Sequence, residues 1–156
     1  MKRIVILIIT AISLIGCVQT PFYSEYQDIP VFGWDADSAL TYTWSIDDTA
    51  TTYRILIDVR HTEFYPYQNL WFFINRPLSL KDTIEFYLAD ERGQWLGKKC
   101  GGYIKMPVLY EEAYKFDSIG DYTMTIQQAM RTERLKGITD VGVIVSKNEE
   151  LNRYAK

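Results

Sequence analysis

The sequence predicts an all-β protein: an antiparallel two-sheet β-sandwich, jelly-roll-like, formed by residues 31–156. Three observations predict it. Apolar residues recur at every second position in about eight short runs, the period that sets one face of a strand in a core and the other in water. Each run is bounded by turn-forming Gly, Pro, Asn or Asp at the spacing of a sandwich. Aromatic residues are abundant, with 12 Tyr and 4 Trp, and such side chains pack well on a pleated surface.

The runs can be taken in order. Leu40, Tyr42, Trp44 and Ile46 alternate with Thr41, Thr43 and Ser45 and stop at the turn Asp47-Asp48. Tyr53, Ile55, Ile57 and Val59 repeat the pattern, with Leu56 on the second face implying partial cover there. Leu70 to Ile74 is a continuous apolar run, which suits a central strand covered on both faces. Ile84, Phe86 and Leu88 alternate with Thr83, Glu85 and Tyr87 before the turn Asp90-Glu91-Arg92-Gly93. Met106 to Leu109 and Tyr114 to Phe116 are two short candidates flanking Glu111-Glu112. Tyr122, Met124 and Ile126, then Val141, Val143 and Val145, complete the set. The stretch Gln127 to Leu135 leans towards one or two helical turns, and Lys147 to Lys156 reads as a frayed end or short terminal helix. No internal repeat or low-complexity tract is present.

Ahead of the domain lies a signal for export. Lys2 and Arg3 precede the apolar run Ile4 to Ile15, and Leu14-Ile15-Gly16-Cys17 closes it as a bacterial lipobox. The run falls short of the roughly 20 apolar residues that span a bilayer. Residues 1–16 are therefore expected to be removed as a signal peptide and Cys17 to carry acyl chains, several of which hold a protein firmly to a membrane. Residues 17–30, from the lipidated cysteine through the aperiodic polar segment Thr20 to Pro30, read as a tether. Val18 is not the aspartate associated with inner-membrane retention, and Val18 to Tyr23 has no acid of the kind that follows the cysteine in surface-exported lipoproteins. The expected address is the periplasmic face of the outer membrane.

Composition narrows the function classes. Removing residues 1–16, which carry two basic residues and no acid, leaves 15 basic against 20 acidic side chains, a net of −5. Such a surface disfavours nucleic acid, whose affinity rests on neutralising phosphates. With Cys17 acylated, Cys100 has no intrachain partner, so no disulfide framework is expected. His61 is the sole histidine, which removes His-rich metal sites and His-based triads. No Gly-x-Ser-x-Gly elbow, Gly-rich phosphate loop or Cys-x-x-Cys occurs. The carboxylate pairs Asp58 with Glu63 and Glu85 with Asp90 read as strand-edge and turn acids, and Asp35, Asp37, Asp47 and Asp48 lack an EF-hand spacing. No catalytic residue, metal, cofactor or small-molecule ligand is expected.

The lipobox at Cys17 is followed in order by Tyr65-Pro66-Tyr67-Gln68-Asn69-Leu70-Trp71, Asp82-Thr83-Ile84-Glu85-Phe86 and Gly93-Gln94-Trp95-Leu96-Gly97. Then come Gly120-Asp121-Tyr122-Thr123, Gln128-Ala129-Met130-Arg131, Leu135-Lys136-Gly137-Ile138 and Val141-Gly142. This series, over nearly the whole chain, resembles the gliding-motility lipoprotein GldH family of the Bacteroidota. The resemblance implies a non-enzymatic accessory or assembly lipoprotein of the gliding and type IX secretion apparatus, with other envelope proteins as partners. Tyr65, Tyr67, Trp71 and Trp95 sit in loops and strand ends where a sandwich gathers binding residues, and are the candidate interaction surface. A glycan-binding sandwich, stacking sugar rings on the same aromatics, is the alternative.

Overall fold

A computed structural model describes residues 21–76 and 81–148. The signal peptide, Cys17 and most of the charged tail lie outside the described residues. Among the described residues eleven strands follow one another: β1 (Tyr23–Asp28), β2 (Trp34–Asp35), β3 (Ala39–Ile46), β4 (Tyr53–His61), β5 (Asn69–Asn75), β6 (Lys81–Tyr87), β7 (Lys98–Cys100), β8 (Tyr103–Tyr114), β9 (Gly120–Gln128), β10 (Arg134–Leu135) and β11 (Ile138–Lys147). They form a five-stranded sheet in the order β1-β11-β4-β8-β7, a four-stranded sheet in the order β3-β9-β5-β6, and a small β2–β10 ladder. Apart from the small β2–β10 ladder, the chain changes sheet at every step except the β5–β6 and β7–β8 hairpins. That is the double Greek key of a jelly roll, as the alternation predicted.

The period-two pattern explains the core. Tyr42, Trp44 and Ile46 of β3, Ile55, Ile57 and Val59 of β4, Leu70, Phe72 and Ile74 of β5, and Val141, Val143 and Val145 of β11 are all buried. Their alternating neighbours face out. Phe116 centres an aromatic cluster, with ring centroids 5.2 Å from Tyr53, 4.7 Å from Tyr114 and 4.5 Å from Tyr122. Tyr42 bridges the two layers, its hydroxyl donating to the Val141 carbonyl oxygen at 2.7 Å. A hydroxyl in that position must be partnered, because burying it bare is costly.

Four elements differ from the sequence-based expectation. Tyr23–Asp28, expected within the tether, is an edge strand paired along β11 from Tyr23↔Val145 to Asp28↔Asp140. Its alternation is hidden because an edge strand is only half covered, and its burial pattern is irregular. The two candidates around Glu111-Glu112 are one 12-residue strand, β8, whose register shifts opposite Ile55 accommodate the acids. Phe116 lies beyond it, in the core. The helix-leaning segment is a turn: the buried Gln128 amide donates to the Thr132 carbonyl oxygen at 3.0 Å and accepts from the Met130 N–H at 2.9 Å. Such local side-chain bonds give the backbone an alternative to helix. Finally, β5 is central but not covered on both faces; Phe73 is 49% exposed.

The edge strand β1 is fastened from outside. The Tyr26 ring lies across Gly142, where a Cβ would come 2.4 Å from its Cε1 atom. Its hydroxyl donates to the buried Asp58 carboxylate at 2.5 Å, and the Arg60 guanidinium sits 4.0 Å from the ring centroid. Lys105 Nζ completes the arrangement, 3.1 Å from Asp58. Gly142→Ala should therefore overpack this contact and cost about 1–3 kcal/mol. Denaturant melts should also show the cost shrinking in a Tyr26→Ala background, where the clashing ring is gone.

Candidate interaction surface

The outer face of the four-stranded sheet carries a groove of about 490 Å³ lined by Tyr67, Asn69, Trp71, Phe73, Thr83, Ala129, Met130 and Arg131. It exists because β5 is apolar on both faces while the fold supplies a layer for only one. Leu70, Phe72 and Ile74 enter the core, which turns Trp71 and Phe73 outward. The turn held by Gln128 brings Ala129, Met130 and Arg131 alongside, and the Ala129 N–H donates to the Trp71 carbonyl oxygen at 2.8 Å. Polar groups are sparse. Asn69 Nδ2 is committed to Glu85 at 2.6 Å, and among the described residues Arg131 has no ion pair.

The four predicted aromatics fall into two groups. Tyr67 and Trp71 front the groove. Tyr65 is 3% exposed and belongs to the core, its hydroxyl donating to the Asn69 carbonyl oxygen at 2.8 Å. Burial pushes that phenol well above the usual tyrosine range. Gly137 makes its position possible, since a Cβ there would meet Tyr65 Cα at 2.6 Å. Trp95 stands half-buried, edge-on to His61 with centroids 4.6 Å apart, and away from the groove. Tyr65 still serves the surface indirectly, because Tyr67 packs edge-on against it at 5.8 Å. Sequence reading missed Phe73, Met130 and Arg131. Tyr65→Ala should cost about 3–5 kcal/mol as an aromatic core deletion. Tyr67→Ala, 40% exposed, should stay within about 1 kcal/mol, and thermal melts of the two variants check the division.

The remaining candidates are occupied structurally. Asp58 is held by Tyr26 and Lys105, whereas Glu63 pairs with Lys99. Asp90 accepts the backbone N–H groups of Arg92 and Gln94 at 2.9 and 2.8 Å, as a turn acid does. Asp35 pairs with Arg134 and Asp47 with Lys147. Cys100 is a half-buried free thiol before the positive-φ Gly101. His61 is fully buried, with its ring packed against Tyr65 and Trp95, Nε2 without a hydrogen-bond partner among the described residues, and Nδ1 3.0 Å from the Thr62 carbonyl oxygen. That contact assigns the proton to Nδ1 of a neutral ring.

Burial lowers the His61 pKa below its usual 6.5, so its contribution to stability is complete above the unfolded value. It is lost as pH falls from about 6.5 towards the lowered folded value, at up to about 1.4 kcal/mol per pH unit. Between about pH 7.5 and 5.5 the melting temperature should fall more steeply for the natural protein than for His61→Phe.

The start of β1 and the groove occupy opposite ends. Tyr23 opens β1 beside Val145, near the loop that joins Ile46 to Tyr53. Asn69 and residues 129–131 lie at the other end, where His61 pairs with Ile138 and Asp28 with Asp140.

Comparison with known proteins adds three findings. The family model described as GldH lipoprotein matches residues 21–145. The gliding motility lipoprotein GldH homolog of Christiangramia forsetii is 33% identical over 155 residues, covering 92% of this chain and 94% of that protein. The gliding motility lipoprotein GldH of Flavobacterium johnsoniae is 29% identical over 155 residues, with 92% and 96% covered.

Proposed function

The chain belongs to the GldH lipoprotein family, and from that premise we propose that it is a non-enzymatic assembly component of the gliding and type IX secretion apparatus. In this reading Cys17 anchors it to the periplasmic face of the outer membrane, and the sandwich captures an envelope protein through the groove at Tyr67, Trp71 and Phe73. The observation that carries it is the uncovered apolar face of β5. Aromatic and Met side chains left in contact with water on a folded sheet mark a contact surface, and Trp and Tyr are the commonest anchors of such surfaces. Asp35, Asp47, Asp58, Glu63, Glu85 and Asp90 are tied to structural partners, which supports a binding role over hydrolysis. A glycan-binding role fits less well, since a sugar needs several free hydrogen-bonding groups and Asn69 is already bonded to Glu85.

Trp71→Ala and Phe73→Ala should each weaken capture of the partner about tenfold or more, the loss expected from removing an interface anchor worth about 2 kcal/mol. Melting temperatures should move little. Affinity isolation of the full lipoprotein from host envelope membranes, with gliding and release of type IX substrates scored in the same strains, measures this. Unchanged capture with both variants would remove the groove from the mechanism. Loss of binding to a soluble glycan in its place would favour the sugar-binding alternative.

A further inference from the structure

A sheet edge presents unpaired backbone N–H and C=O groups, and proteins usually block such edges. Three of the four sides here are blocked. At one side of the sandwich β1 and β3 cover each other: the Tyr23 ring packs 5.4 Å from Trp44, and Gln27 Nε2 donates to the Thr41 carbonyl oxygen of β3. On the far side of the five-stranded sheet, β8 carries the β7 flap, Pro107 in mid-strand and a register irregularity. The fourth edge, β6, is tied to β8 through Asp82 and Tyr110, but among the described residues it has no flap, no proline and no register irregularity. Its 7 residues contain no proline and pair with β5 in unbroken register from Asn69↔Tyr87 to Asn75↔Lys81. Among the described residues no strand pairs with its other side.

From this edge we infer that a second copy of the chain pairs with β6, antiparallel and edge to edge, about a two-fold axis at Thr83. The charge order decides the occupant. Lys81, Thr83, Glu85 and Tyr87 are the exposed outward residues of the strand. In the two-fold register Lys81 stands opposite Glu85 of the second copy, Glu85 opposite its Lys81, and Thr83 opposite its Thr83. Opposite charges directly across an antiparallel pair attract, and a self-complementary patch is what an isologous dimer requires. Asp82 does not oppose the pairing, because Arg76 Nε at 2.9 Å and the Tyr110 hydroxyl at 2.5 Å already hold it within its own sandwich. The two four-stranded sheets would run on as one, with both grooves on the same face. Thr83 also lines the groove, but the inference rests on the charge order of the edge and not on what fills the groove.

Cysteine crosslinking in membranes of the producing cell tests it on the full chain. In a Cys100→Ser background, Thr83→Cys should give a dimer on non-reducing gels, or with a short bis-maleimide, since directly opposed Cβ atoms lie about 4.5–5.5 Å apart. Thr123→Cys, exposed on the same sheet face but away from β6, should not. Lys81→Glu or Glu85→Lys should lower the Thr83→Cys dimer yield several-fold by setting like charges against each other, and combining the two should restore it. Restoration is an outcome that a merely destabilised edge would not produce. Dimer yield no greater than that of Thr123→Cys, or failure of the combined swap to restore it, would overturn the inference.

Discussion

The whole structure depends on the last strand lying inside the first sheet. β11 sits between β1 and β4, with Val141, Val143 and Val145 fully buried, and its Val141 carbonyl receives the Tyr42 hydroxyl from the opposite sheet. Among the described residues β1 is hydrogen-bonded to β11 alone. The first of the described strands therefore has no strand to pair with until the last has been made. Contacts of this kind close very long loops before they return any burial, which makes folding slow and strongly cooperative.

That arrangement also divides the surface. On the outside of the five-stranded sheet, Asp58 is sealed beneath Tyr26, Arg60 caps the ring, and Lys105 offsets the buried charge. The four-stranded sheet has no such seal. Its outer rows begin with small hydroxyl residues on β3 and β9, then change abruptly to Trp71 and Phe73 on β5. One face is therefore closed by its own polar network, and the other presents apolar area to whatever approaches.

Much of this was legible in the sequence, because period-two alternation reports burial directly. The runs of β3, β4, β9 and β11 are buried at the positions their alternation implies. What was not legible falls where periodicity gives no signal. Tyr23–Asp28 is an edge strand whose stability comes from distant Gly142 and Asp58. Gln128 directs the next turn through its side chain, which no local pattern of apolar residues reveals. The groove could have been deduced. In a sandwich without covering helices a strand that is apolar at every position must expose half of them, so Leu70 to Ile74 already implied outward-facing Trp71 and Phe73. Tyr65 was misplaced because a loop residue two positions from Tyr67 looks equivalent until Gly137 is seen to admit it to the core.

The pairing of β1 has a mechanical consequence. With Cys17 as the proposed anchor, only the residues between it and Tyr23 are left to act as a leash, about 20 Å at full extension at roughly 3.3–3.6 Å per residue. The groove lies at the end of the sandwich away from Tyr23. Tension between a partner and the membrane would therefore run along β1 and load the rungs of its ladder with β11 together, in shear, instead of peeling them one after another. A strand that first looks like slack tether is thus oriented to carry force.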